Sequence, residues 1–216
     1  MSDPKYTKGL NNIDLVYYIN LDHRKDRLEH ITNELKKTNI DENKIHRIEA
    51  VHIPDFGPLG CSKSHINVLE TFINSDESNK TCLILEDDFV FSKNQDTIND
   101  LLNKVFENIE NFDVVMFSSN TFSGKKSEYN FAIKIFDAQT TSGYMVNRNF
   151  SKTLLQNYKE GVSLLESCNH RDRNLYIDMY MKKLQPISNW YCLEPTIGKQ
   201  IESYSDIEKR ITNYNC

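Results

Sequence analysis

Glu86, Asp87 and Asp88 are three consecutive carboxylates set between two apolar runs, Thr81-Cys82-Leu83-Ile84-Leu85 before them and Phe89-Val90-Phe91 after. Adjacent anions repel one another and resist desolvation, so they call for a cation or for water. Hard oxygen ligands suit Mg²⁺ or Mn²⁺, ions that bind together with substrate phosphates. A solvated acidic turn is the alternative for the triplet taken alone. A fourth carboxylate, Asp178, interrupts the apolar run Leu175-Tyr176-Ile177-Asp178-Met179-Tyr180-Met181. Asp is unfavourable in a helix interior and costly to bury unpaired. Such a residue suits a general base or a ligand for an acceptor hydroxyl, unless it caps the helix or faces solvent. Arg24, Lys25 and Arg27 follow directly on an apolar segment and open a helical pattern. The first N–H groups of a helix lack partners and receive anions, and Arg grips phosphate bidentately. Basic residues there oppose the helix macrodipole, which favours a functional reason for them.

These groups need elements to position them. Ile13 to Leu21 is rich in β-branched and aromatic residues and reads as a first strand. Leu28, Ile31 and Leu35 then recur at helical spacing. Ile45 to Val51 reads as a second strand, followed by a loop punctuated by Pro54, Gly57, Pro58 and Gly60. Cys61 to His65 opens the next helix, with Ser62 or Ser64 as candidate caps and Ile66, Leu69 and Ile73 on its apolar face. On position alone, His65 is more readily structural than functional. Thr81 to Leu85 is a buried strand that delivers the acidic triplet to a sheet edge, where α/β folds place ligands. Ile98 to Ile109 reads as an amphipathic helix, Phe112 to Phe117 and Phe131 to Ile135 as strands, and Thr140 to Val146 as a further strand. Gly143 within it marks either a close approach of ligand or backbone or an ordinary bulge. Asn149 to Tyr158 reads as a helix. Ser118 to Tyr129 and Glu160 to Asn174 read as polar loops, and Trp190 to Pro195 as a last short strand. Strands alternating with helices predict an α/β sandwich with a mixed, mainly parallel sheet flanked by helices.

The 216 residues predict one domain, 38% hydrophobic and 26% charged as in soluble globular proteins. A net charge of −5 argues against a general nucleic-acid binder, which needs a basic face. The start of the sequence has no apolar signal core, and no run approaches the ~20 apolar residues of a membrane span. A cytoplasmic location without a membrane span is therefore expected, although a domain of a longer secreted protein would read the same way. The five cysteines lie singly, which predicts free thiols; a zinc site would need closer spacing. Neither GxGxxG nor GxxxxGK[ST] occurs, so neither a dinucleotide fingerprint nor a P-loop is supported.

Taken in order, Tyr18-Ile19-Asn20-Leu21-Asp22-His23-Arg24-Lys25-Asp26-Arg27, Gly57-Pro58-Leu59-Gly60-Cys61-Ser62-Lys63-Ser64-His65, Leu83-Ile84-Leu85-Glu86-Asp87-Asp88, Thr141-Ser142-Gly143-Tyr144-Met145-Val146, Tyr176-Ile177-Asp178, and finally Gln200 with Ser205-Asp206-Ile207 resemble family 25 glycosyltransferases. That group includes lipooligosaccharide sugar transferases and collagen hydroxylysine galactosyltransferases. The resemblance spans nearly the whole chain. It implies a GT-A-like nucleotide-sugar transferase fold in one domain, a UDP-hexose donor (galactose or glucose), Mn²⁺ or Mg²⁺, and inversion at the anomeric carbon. It implies an acceptor hydroxyl on collagen hydroxylysine, galactosyl-hydroxylysine or a lipooligosaccharide sugar. Carried over, Asn20, Leu21, Arg24 and Arg27 would hold the nucleotide, and Ser64 and His65 would lie near the donor sugar or its phosphates. Glu86 and Asp88 would hold the metal and the ribose, with Asp87 and Gln200 also on the donor side. Gly143 and Tyr144 would shape the donor pocket. Asp178 would face the acceptor as base, with Asp206 in reserve. Glu86 departs from the first Asp of a DxD motif, though Glu-Asp-Asp is the usual form in this family. Two other readings stand beside this one: a metal-dependent nucleotidyltransferase or phosphohydrolase, and a non-catalytic UDP-sugar-binding module.

Overall fold

Strand residues of this chain alternate between two buried faces, and that alternation organises the molecule. The computed structural model describes residues 8–168, 172–205 and 210–212. Along them run β1 (Leu15–Asn20), α1 (Lys25–Lys36), β2 (Ile45–Glu49), α2 (Gly57–Asn74), β3 (Thr81–Glu86), β4 (Phe89–Phe91), α3 (Gln95–Asn108) and β5 (Val114–Met116). There follow β6 (Asn120–Lys126), β7 (Ala132–Gln139), β8 (Gly143–Asn147), α4 (Arg148–Ser167), α5 (Ile177–Tyr180), β9 (Trp190–Leu193), β10 (Gly198–Gln200), β11 (Ser203–Ser205) and β12 (Arg210–Thr212).

Eight strands form one sheet in the order β2-β1-β3-β8-β5-β9-β7-β6. β1 pairs in parallel with β2 on one side and β3 on the other, so the chain leaves β1 in one direction and returns on the opposite side. Ligands bind at such switch points, outside the carboxyl ends of the strands. β8 enters antiparallel between β3 and β5, which brings the start of β8 to the edge where β1 and β3 end. β5 pairs in parallel with β9, whereas β7 pairs antiparallel with both β9 and β6. The sheet is therefore mixed, with its parallel core around β1. A two-stranded ribbon of β4 and β10 closes over the end of β3.

The two faces pack separate cores. Tyr17, Ile19, Cys82, Ile84, Val114 and Met116 meet α2, α4 and α5 through residues such as Leu69, Phe72, Leu154 and Ile177. Val16, Tyr18, Leu83, Leu85, Val115 and Phe117 meet α1 and α3 through Ile31, Leu35, Ile98, Leu102 and Val105. Each such side chain contributes about 1.5–3 kcal/mol when fully buried. Asn94 caps α3 by accepting from the Thr97 N–H, and Asn147 caps α4 by accepting from that of Asn149. No described helix is long and apolar enough to cross a membrane.

Three expectations are corrected. Residues 118–129 are not simply a loop, because they contain β6. As an edge strand bonded only to β7, and bulged between Thr121 and Gly124, it has no second partner to impose an apolar pattern. The helix expected to end at Tyr158 runs on to Ser167, with Gly161, Val162 and Leu165 continuing its buried stripe, so the expected loop from Glu160 is largely helix. Finally, α2 begins at Gly57 with Pro58 in its first turn, four residues before the expected start. Ser62 and Ser64 are therefore inside the helix and bond back to the carbonyls of Pro58 and Gly60 rather than capping it.

Phe89 follows the acidic triplet directly and is fully buried. A Cβ on Gly143 would stand 2.4 Å from its ring and one on Gly198 2.2 Å, so the two glycines form a slot for this phenyl group. Gly143 thus serves a close approach by a side chain of this chain. Gly143→Ala should destabilise the protein by roughly 1–3 kcal/mol through overpacking, read as a lower urea midpoint with an unchanged slope.

Candidate active site

A cleft of about 460 Å³ opens at the edge where β1 and β3 end. Both helical layers contribute to it. Arg27 comes from α1 on one face of the sheet, and Cys61, His65 and Asp178 come from α2 and α5 on the other. The loop from Ala50 to Ile53, the β7–β8 link and Gln200 of β10 complete the wall.

The acidic triplet enters this cleft with each carboxylate held differently. Asp87 accepts from the Asn20 amide at 2.7 Å and from Arg27 Nη1 at 3.0 Å. Asp88 is 4% exposed; its Oδ2 lies 3.1 Å from the same Arg27 nitrogen, and its Oδ1 accepts from Gln200 Nε2 at 3.2 Å. The Asp88 carbonyl also accepts from the Ile201 N–H at 2.9 Å, which ties β10 to the acidic turn. Glu86 Oε1 accepts from Thr141 Oγ1 at 2.6 Å and lies 3.3 Å from His65 Nε2.

Charge is concentrated here beyond what the neighbours offset. Burial, reinforced by the Glu86 and Asp87 charges, raises the Asp88 carboxyl to about 7, against the pull of Arg27 and Gln200. Burial also raises Asp87, although Arg27 and Asn20 oppose it. Glu86 goes the other way: burial alone would raise it, but the His65 and Thr141 hydrogen bonds and the Arg27 charge leave it below its ordinary value. Glu86 and Asp88 are the residues that could hold a hard divalent cation.

Behind Glu86 runs a buried polar chain. Tyr158 donates to the Tyr144 hydroxyl at 3.3 Å, and Tyr144 lies 2.8 Å from His65 Nδ1. If Tyr158 spends its proton on Tyr144, Tyr144 donates to Nδ1, and the imidazole presents Nε2–H to Glu86. Thr141 reaches Glu86 from the β7–β8 link, where Thr140 takes φ +88°, a region that β-branched residues rarely enter. Strain of this kind collects at functional sites.

Asp178 is half-buried in the first turn of the short helix α5, on the cleft wall. Burial raises its carboxyl, and the Glu86 charge raises it further. The turn is too short to be the hydrophobic helix expected around it, so Asp178 avoids a helix interior.

The structure gathers Leu21, Arg27, Ser64, His65, Glu86, Asp87, Asp88, Asp178 and Gln200 on this one cleft. Ser64 accepts there from the Val51 N–H and so fixes the loop that forms part of the wall. Asn20, Arg24, Gly143 and Tyr144 do not line it. Asn20 is fully buried, bonded to Asp87 and accepting from Arg47, while Arg24 pairs with Asp26. Gly143 packs on Phe89, and Tyr144 stands one hydrogen bond behind His65. Asp206 lies outside the described residues. Cys61, Thr141 and Gln139 also line the cleft and were not expected there. The one available signal was the spacing of Cys61 and His65, one helical turn apart.

The mixed α/β sheet, with carboxylates delivered at a strand end, fits the fold class of nucleotide-sugar transferases. The family model for glycosyltransferase family 25 (LPS biosynthesis protein) matches residues 55–181, more than half of the chain, and the chain belongs to that family. No curated protein sequence matches it significantly. Among solved structures, a protein from STIV is similar at 13% identity, over 92% of this chain and 93% of that one, with a TM-score of 0.48. A glycosyltransferase involved in glycosylation of the major capsid of PBCV-1 is similar at 11% identity, over 82% and 80%, with a TM-score of 0.48. The glycosyltransferase GlyE of Streptococcus pneumoniae is similar at 10% identity, over 84% of this chain and 45% of that one, with a TM-score of 0.48.

The raised Asp88 carboxyl has a consequence for stability. The fold retains a proton that the unfolded chain releases near 3.8, so stability from this group falls as pH rises from that value to about 7. Asp87 and Asp178 act with the same sign. Asp88→Asn should therefore stabilise the metal-free protein at neutral pH by roughly 0.5–2 kcal/mol, and chemical denaturation across that pH range should show the gain shrinking toward acid.

Proposed function

We propose that this glycosyltransferase moves a hexose from a UDP-sugar to an acceptor hydroxyl, with inversion and with the help of Mn²⁺ or Mg²⁺. The observation that carries the reading is the shared cleft. Its strand end bears more carboxylate than Arg27 offsets, as the raised Asp88 group records, and its other helical layer presents Asp178. A hard divalent cation fits that donor set, since Glu86 and Asp88 offer oxygens only. When bound, it would neutralise charge on the departing diphosphate.

The chain's own residues do the rest. Asn20 and Arg27 hold Asp87 in place, and Gln200 holds Asp88. Arg27 also brings a positive charge to the cleft for the diphosphate. Asp178 accepts the proton of the attacking hydroxyl, on the face away from the leaving UDP, and its raised carboxyl makes it a stronger base than an ordinary Asp. Asn120 and Arg173 line the cleft from the two segments that read as polar loops in the sequence. The acceptor class that fits is a glycan or hydroxylysine hydroxyl, as on a lipooligosaccharide sugar or a collagen-type peptide.

The deciding experiment is a donor screen. Each UDP-sugar is incubated with Mn²⁺, with and without these acceptors, and UDP, pyrophosphate and inorganic phosphate are measured. Acceptor-dependent UDP release supports transfer, whereas pyrophosphate or phosphate release points to a nucleotidyltransferase or phosphohydrolase. Binding with no turnover on any acceptor points to a non-catalytic module. Asp178→Asn should keep UDP affinity by calorimetry while transfer falls by about 10²–10⁴-fold. In the wild type, kcat/KM should drop as pH falls through the raised range of Asp178. Asp88→Ala should abolish transfer even at saturating Mn²⁺.

A further inference from the structure

Cys61 and His65 are four residues apart on α2, so their side chains leave the same face of the helix. Glu86 meets them from the end of β3. One ligand atom from each of the three lies within 4.8 Å of the other two. A tetrahedral zinc ion with ordinary bond lengths sets its ligand atoms about 3.4–3.6 Å apart. The His65 Nε2 to Glu86 Oε1 distance is already 3.3 Å, so only the Cys61 thiol has to turn inward.

The surroundings are those of a metal-binding histidine. Such a ligand holds its second ring nitrogen in a hydrogen bond that fixes ring and tautomer. His65 Nδ1 has the Tyr144 hydroxyl at 2.8 Å, and the ring is fully buried. The Glu86 carboxylate is oriented by Thr141. Cys61 and Glu86 both line the cleft, which gives an ion a path from solvent and leaves the fourth coordination position toward open space.

Sulfur decides the ion. Thiolate and imidazole select zinc-like cations, whereas Mg²⁺ and Mn²⁺ prefer the all-oxygen set of Glu86 and Asp88. We infer that Cys61, His65 and Glu86 form a second metal site, specific for a thiophilic divalent cation such as Zn²⁺, which shares Glu86 with the donor site. Occupancy withdraws Glu86 from donor binding, so zinc inhibits transfer; this consequence, unlike the binding itself, rests on the function proposed above. On binding, Cys61 releases its thiol proton to solvent and its sulfur coordinates the ion. His65 then carries its proton on Nδ1 toward Tyr144, and Tyr144 donates to Tyr158.

The test uses the full chain stripped of metal and titrated with Co²⁺ and Zn²⁺. Co²⁺ should give a thiolate-to-cobalt charge-transfer band that saturates at one ion per chain, and Zn²⁺ should displace it. Cys61→Ser should lose the band and bind Zn²⁺ at least about a hundredfold more weakly, beyond the 10–100-fold that outer partners cost. Cys168→Ser, at an exposed thiol, should keep it. No band in the wild type, or a band retained in Cys61→Ser, overturns the inference whatever becomes of the variants. Zinc should also inhibit Mn²⁺-supported UDP release in the wild type, and half-inhibition of Cys61→Ser, relative to its own zinc-free rate, should need far more zinc. A band with no UDP release from any donor would sink the proposed function and leave the metal site standing. UDP release with no band would do the reverse.

Discussion

The structure depends on how negative charge is held at the end of β3. Three adjacent carboxylates at a mostly buried sheet edge are costly unless partners are supplied for each. Arg27 Nη1 is placed between Asp87 and Asp88. Asn20, Thr141, His65 and Gln200 supply further contacts, each from a different element. Several otherwise unusual features follow from this arrangement. Asn20 is a fully buried amide at a strand end, Thr140 sits at positive φ, and β10 returns from the far end of the chain to bond the acidic turn. Compensation is incomplete, since burial and the Glu86 and Asp87 charges hold the Asp88 carboxyl above its ordinary value despite Arg27 and Gln200. A site that keeps unspent charge gives up stability for the capacity to receive a cation and an anionic ligand.

The mixed sheet explains why carboxylates with opposite needs meet in one cleft. β1 and β3 run parallel and end together, while β8 runs the other way and starts there. One edge therefore collects two strand ends, one strand beginning and helices from both layers. Glu86 is kept ionised by hydrogen bonds and Arg27, whereas burial draws Asp178 toward its neutral form. Environments that separate the titration of neighbouring carboxyl groups are how proteins assign them different tasks.

Much of this was legible in the sequence, because β1, β3 and their flanking helices are strongly patterned. Leu28, Ile31 and Leu35, or Ile98, Leu102 and Val105, can face only one way. The acidic triplet was legible only together with the rest of the chain, since taken alone it reads as a solvated acidic turn and the basic corner at Arg24 to Arg27 and the carboxylate of Asp178 give it a role. β6 was not, because a polar edge strand carries no apolar alternation. The second half of α4 was hidden by Gly161 and the polar residues around it. Gly143 announced a close approach but not its occupant, and the phenyl ring of Phe89, 54 positions earlier in the sequence and next to Asp88, fills the space. Singly placed cysteines carry no zinc signal of their own, and the neighbours of Cys61 are a histidine one turn along α2 and a carboxylate from another element.

The tie between Gln200 and Asp88 has a consequence for biosynthesis. The chain is made from its first residue onward, and domains tend to fold as they emerge. Here the carboxylate trio is complete 112 residues before the Gln200 side chain that fastens it. A ribosome-bound intermediate must carry that anionic turn half-fastened while the intervening residues are added, and the finished pocket can exist only once β10 has emerged.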